Sequence, residues 1–191
     1  VAAVPTAVSG DVTVDTTWSA GGSPYTVTGS IQVPAGVTLT VEPGVEVRFD
    51  SNTALVVGGS TNRPGALIAD GNGSGGPATI LFTANSGAPT PGFWRGIETG
   101  LELDGSSVLR NVQIRYAGAL FRSGVYANHR EGTTLTVDQV TMEDSAQYGV
   151  RVVRGDVLVT DCLMQNNAAG DVRLDDYQIL AFGGGFSRCH R

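Results

Sequence analysis

The stretch "SVLRNVQIRYAG", residues 107–118, decides the fold once two later stretches are laid under it. These are "LTVDQVTMEDS" (135–145) and "VLVTDCLMQNN" (157–167). Val112, Val140 and Cys162 fall in one column; Ile114, Met142 and Met164 fall in another; Leu109, Val137 and Val159 form a third. The apolar residues of each stretch are mostly two apart, which turns them to one face of a strand. The copies are 28 and then 22 residues apart. A fourth column agrees: Val125, Val150 and Val172, in "SGVYA", "YGVRV" and "GDVRL". The extra length of the first interval points to an insertion around "NHREGT", 128–133.

A strand-only period of this size signals a β-solenoid, in which each turn buries its apolar face by stacking on its neighbours. No stretch carries apolar residues at i, i+3, i+4 and i+7 over a helix length. Short β-branched runs bounded by Gly, Pro, Asn or Asp recur instead, among them "YTVTGSIQV", "VTLTV", "VEVRF" and "TILFT". Pro34-Ala35-Gly36 and Pro43-Gly44 supply corners between them. The reading is an all-β parallel β-helix with roughly 22–28 residues per coil in the second half. It forms a single domain: residues 1–24 as an N-terminal cap or pairing segment, 25–174 as coils, and 175–191 as a C-terminal cap or tail.

The totals narrow the function. The 191 residues suffice for one domain with a proper core. Charged residues are 16% of the chain, the net charge is −6, and all twelve basic residues are Arg. The absence of Lys removes a Schiff-base former and a phosphate anchor. An acidic chain without a basic cluster is a poor partner for nucleic acid or anionic lipid. The apolar runs are too short to span a bilayer. The opening "VAAVPTAVSG" lacks the basic and apolar regions of a leader, so any signal peptide is expected to have been removed. Cys162 sits at an apolar strand position and reads as a small hydrophobe; the alternative is a disulfide with Cys189.

Here a resemblance enters. "IQVPAGVTLTVEPGVEVRF" (31–49), followed by "GALIADG" (65–71), "ILFTA" (80–84) and "FWRGI" (93–97), resembles the right-handed parallel β-helix repeat proteins exported by many bacteria. These are related in shape to the pectate-lyase-like superfamily. The resemblance runs from about Tyr25 to about Leu174. It implies an extracellular or cell-surface location. It also implies that Trp94 packs at a corner of the coil. It does not choose a function, since such coils carry lyases, hydrolases, adhesins and filaments.

The residues offer few catalytic groups. Glycoside hydrolysis needs two carboxyl groups about 5–10 Å apart. Asp138, Asp144 and Asp161 lie in or beside the aligned strands, and Asp171, Asp175 and Asp176 lie further on. The column Tyr116, Asp144, Asn166 makes no carboxylate pair, and such residues read as turn formers. No calcium loop of the EF-hand or nonapeptide kind is present, so Ca²⁺ rests on the weak hint of Asp175-Asp176, and no other cofactor is expected. "GNGSGG" (71–76) precedes a strand rather than a helix and reads as a loop, not a phosphate cradle.

His129, Arg130 and Glu131 lie in the inserted loop, where function is often carried. Phe93, Trp94, Arg95, Tyr116, Phe121 and Tyr126 offer aromatic faces and a cation suited to sugar rings. The carbohydrate-contact set is therefore Trp94, Arg95, Tyr116, Tyr126, His129 and Arg130. The function expected is a non-catalytic structural or adhesive β-helix, contacting carbohydrate or adding to copies of itself end to end. The alternative is a polysaccharide lyase or glycoside hydrolase working in a groove on the side of the coil.

Overall fold

A computed structural model describes residues 4–59, 64–175 and 180–183. The chain is all-β with almost no helix, a parallel β-solenoid of about six turns. Every pairing between its named strands is parallel, and the pairings fall into three stacks. Sheet A stacks Thr16–Trp18, Thr38–Val41, Ala66–Asp70, the first half of Val108–Arg115, the first half of Thr134–Glu143, Asp156–Thr160 and Leu180–Gly183. Sheet B begins with the first halves of Thr6–Asp11 and Tyr25–Val33. It continues through Glu46–Phe49, Ile80–Ala84, the second halves of Val108–Arg115 and Thr134–Glu143, and Leu163–Gln165. Sheet C takes the second halves of Thr6–Asp11 and Tyr25–Val33, then Ala54–Val57, Gly96–Thr99, Val125–Asn128, Tyr148–Arg154 and Gly170–Leu174.

The repeat columns are the register of these sheets. Leu109 pairs with Val137 and Val137 with Val159. Ile114 pairs with Met142 and Met142 with Met164, while Val125, Val150 and Val172 follow one another on sheet C. The columns also run back through the less regular first half. Trp18, Val41, Ala69 and Leu109 are successive partners on sheet A, and Tyr25, Val47, Phe82 and Ile114 on sheet B. These side chains are buried, Val172 of the last turn only in part, and alternate residues along the strands face out. Full burial of each such side chain contributes roughly 1.5–3 kcal/mol, so the core is a ladder of similar increments. The aromatics thicken it: Phe49 stacks on Trp94 with centroids 3.9 Å apart, and Trp18 stacks on Tyr25 at 5.1 Å.

Corners are made in two ways. In the first turns, Gly36 and Gly44 hold the left-handed position of tight turns closed by Val37 N–H to Pro34 O and Val45 N–H to Glu42 O. Later, single residues turn the chain from sheet A to sheet B: Asn111, Gln139 and Asp161, at φ of 49°, 55° and 49°. Tyr116, Asp144 and Asn166 open the turn from B to C at φ of 60°, 57° and 55°. Asn and Asp tolerate this region because their short polar side chains bond locally; Gln139 and Tyr116 are held there by neighbouring turns.

The 28-residue interval takes its extra length from two places. One is the 129–133 loop, within the 128–133 insertion expected from the sequence, with Asn128 belonging to the strand Val125–Asn128. The other is the 116–124 segment, which replaces the four-residue turn 144–147 of the next coil.

Candidate functional site

Outward residues follow inward ones by a single step, so the Val125, Val150, Val172 column specifies its neighbour. On the outside of sheet C the row reads Gln32, Val56, Glu98, Tyr126, Arg151, Arg173. Neighbouring strands are about 4.8 Å apart, so the last four side chains form a continuous strip.

The strip is tied together by charge. Glu98 is 6% exposed and accepts from Arg95 Nη2 at 3.0 Å and Arg122 Nε at 3.1 Å. The Arg122 guanidinium lies over the Tyr126 ring at 4.3 Å, and that of Arg151 lies 5.6 Å from the same ring. Arg151 donates to Asp175 from Nε at 2.7 Å, Arg173 from Nε at 2.6 Å, and Arg173 Nη1 reaches the Tyr148 hydroxyl at 3.3 Å. Burial alone would raise the pKa of Asp175, but the hydrogen bonds from Arg173 and Arg151 outweigh it and hold the carboxyl below its ordinary value. Along this strip four guanidinium groups, those of Arg95, Arg122, Arg151 and Arg173, share the two carboxylates of Glu98 and Asp175. Cations are in excess here on a chain that is acidic overall.

Segment 116–124 projects beside the strip. Gly118 N–H donates to Arg95 O, Ala119 N–H to Trp94 O and Ala146 N–H to Ala117 O, which fixes its base on two neighbouring turns. Leu120 and Phe121 both hold left-handed backbone and are 63% and 77% exposed. Phe121 O accepts from Arg151 Nη1 at 3.5 Å, which places the exposed ring at the edge of sheet C.

The expected contact residues are dispersed. Arg95 and Tyr126 both belong to this strip, joined through Glu98 and Arg122. Trp94 is fully buried against Phe49, and its Nε1–H donates to Arg115 O at 2.7 Å. Tyr116 sits at the B–C corner with the Arg115 guanidinium 5.1 Å from its ring. His129 is fully buried instead of lying on the loop surface. Its Nε2 faces Thr133 O at 3.0 Å and Asp156 O at 3.1 Å and must donate, so Nδ1 accepts from the Thr99 hydroxyl at 2.9 Å. Gly155 makes this possible: a Cβ there would come within 2.4 Å of the imidazole. Arg130 is exposed and pairs with Glu102 at 2.5 Å on the C–A edge.

The acidic residues are occupied or apart. Asp138, on the outside of sheet A, accepts from Arg110 Nε at 3.0 Å and the Thr160 hydroxyl at 2.5 Å. Asp161 and Asp144 hold corners on opposite edges of sheet B. Among the described residues, no three His, Cys, Asp or Glu side chains are grouped as a metal site requires. Cys162 is buried with its sulfur 3.2 Å from Thr160 O. Cys189 and Asp176 lie outside the described residues, as does the bridge considered for Cys162.

Arg122, Arg151 and Arg173 were not among the expected contacts, although two of them stand one residue past members of the valine column. Compared with known proteins, the chain matches no family model, no curated protein and no solved structure.

Proposed function

We propose that the chain is a non-catalytic β-solenoid of the cell surface or extracellular space that holds an acidic polysaccharide along sheet C. The observation that carries this reading is the strip Tyr126–Arg151–Arg173, with Arg122 stacked on Tyr126 and the Phe121 ring exposed beside it. Aromatic faces suit the C–H face of a sugar ring, and guanidinium groups pair with carboxylate or sulfate in bidentate fashion. The excess of Arg over carboxylate gives the face a sign opposite to that of the whole chain. Of the carboxylates considered for hydrolysis, Asp138 and Asp175 are bonded to Arg and Asp144 and Asp161 hold corners. The parallel solenoid supports kinship with the exported right-handed β-helix repeat proteins, and with it the location.

Calorimetry with polygalacturonate tests the reading. Binding should be saturable, weaken as salt is raised, and fall about tenfold in Y126A and in R151Q, a loss of about 1.4 kcal/mol each. Absence of binding to any anionic polysaccharide would overturn it. So would a cleavage product from a polysaccharide panel, run with and without Ca²⁺, whose formation D144N or D161N abolishes.

One observation favours end-to-end addition as a second reading. Thr6–Asp11 pairs on one edge only among the described residues and is almost wholly exposed, and an open edge recruits further strands. Electron microscopy of concentrated protein should then show filaments.

A further inference from the structure

A cleft of about 550 Å³ opens on sheet B, on a different side of the coil from the arginine strip. Its size lies within the roughly 300–1,000 Å³ of small-molecule sites. The floor is the outer row of sheet B. Arg48 pairs with Thr83, and Arg115 stands in the same row one turn further on, next to Ile114, which pairs with Phe82. Arg48 and Arg115 are therefore two strand spacings apart, on the order of 10 Å, with the Thr83 hydroxyl between them. Asn85, Ser86, Gly87, Pro89 and Tyr116 complete the lining.

Each guanidinium is already neutralised. Arg48 donates from Nε and Nη2 to the two carboxylate oxygens of Glu46, at 2.8 and 3.1 Å. Arg115 Nε lies 2.8 Å from Glu143 Oε1 and its Nη2 3.7 Å from Asp144 Oδ2. Glu143 is 8% exposed and also accepts from Gln113 and Gln165, at 2.8 and 2.6 Å. These two cations are matched by three carboxylates, so the cleft offers an anion no net attraction, unlike sheet C. What remains is an alternation of donors and acceptors. Neither Arg48 nor Arg115 uses Nη1 in these pairs, and Glu46 keeps acceptor capacity beside its arginine. Thr83, Asn85 and Ser86 add hydroxyl and amide groups, while Leu81, Pro89 and Tyr116 add apolar surface.

A ligand hydroxyl both donates and accepts, so adjacent hydroxyls can accept a hydrogen bond from a guanidinium N–H and donate one to its carboxylate partner. An ion would have to break those pairs. We infer that this cleft is a second binding site, for a neutral, hydroxyl-rich oligosaccharide, independent of the acidic-polysaccharide surface on sheet C.

The test is an amide NMR titration of the full chain with cellohexaose, xylohexaose, mannohexaose and maltohexaose at millimolar concentration, with trigalacturonate as the charged comparator. At least one neutral sugar should give saturable shifts at Thr83, Asn85 and Tyr116, unchanged by salt. Y116N removes the ring while keeping a residue that tolerates left-handed backbone, as Asn166 does at the equivalent corner. It should weaken binding about tenfold with an otherwise retained spectrum. R48Q should weaken it as well, and Y126A should leave it unchanged. The inference is overturned if no neutral sugar gives saturable shifts, if only trigalacturonate binds, if neither Y116N nor R48Q weakens binding, or if Y126A removes it. The sheet C reading fails by different signs, since its ligand is anionic, salt-sensitive and lost in Y126A.

Discussion

Sheets A and C carry the same kind of inward column and opposite kinds of outward row. On sheet A the outer row is Asp70, Arg110, Asp138, Thr160. Arg110 bridges the two carboxylates at 2.9 and 3.0 Å, and Thr160 closes on Asp138. On sheet C the row is Glu98, Tyr126, Arg151, Arg173, with arginines in excess and an aromatic ring between cations. One row is saturated by its own chain; the other leaves cationic and aromatic surface to the outside. The fold is indifferent to the distinction, because the inward residues alone fix the stacking. An outer row is thus free to be a seal or a surface.

The strongest way to break this comparison is to show that the two inward columns differ. They should not: L109A under sheet A and I97A under sheet C should each cost about 2–5 kcal/mol in urea unfolding. A tenfold difference in polygalacturonate binding comes next, with Y126A losing affinity and T160A, on the saturated row, losing none.

His129 then tests the seam where the chain passes from C to A. Burial lowers its pKa below the ordinary 6.5, against the opposing pull of the Asp156 and Thr133 carbonyls. The folded state therefore takes up the proton less readily than the unfolded chain. Its contribution is complete above about pH 6.5 and declines as pH falls from there towards the folded pKa. Urea midpoints should fall through that window in the native chain and remain flatter in H129Q. The smallest effect is expected from R110Q. Its half-exposed bridge should be worth only about 0.5–1 kcal/mol at low salt, shrinking as salt is added. A larger loss would mean that the saturated row supports the fold after all.

The columns were legible because a solenoid repeats its inward residues at matched register, so Leu109, Val137 and Val159 could be aligned without any partner sequence. The burial of His129 was not legible. "ANHREGT" has the composition of a surface loop, and what draws the imidazole inward is Gly155, 26 residues later, together with Thr99, 30 residues earlier. The arginine strip was half legible. Tyr126 was chosen for its own chemistry, whereas Arg151 and Arg173 acquire meaning only as its neighbours on adjacent turns. The Leu120–Phe121 projection was hidden because the insertion expected around 128–133 accounts by itself for an uneven spacing between copies.

The single-residue crossings at Asn111, Gln139 and Asp161 carry one more consequence. A passage one residue long has no slack. At these three crossings the described residues include no stretch long enough to enter a protease cleft without first tearing strands from both sheets. Within these turns limited digestion should therefore cut at the other two edges, and amide exchange at the three crossings should be the slowest; an earlier turn differs, because the mostly exposed 71–79 loop joins Ala66–Asp70 to Ile80–Ala84 on this same side. Insertions meant to carry new sequence belong opposite it, where 116–124 and 129–133 show that the coil accepts added length.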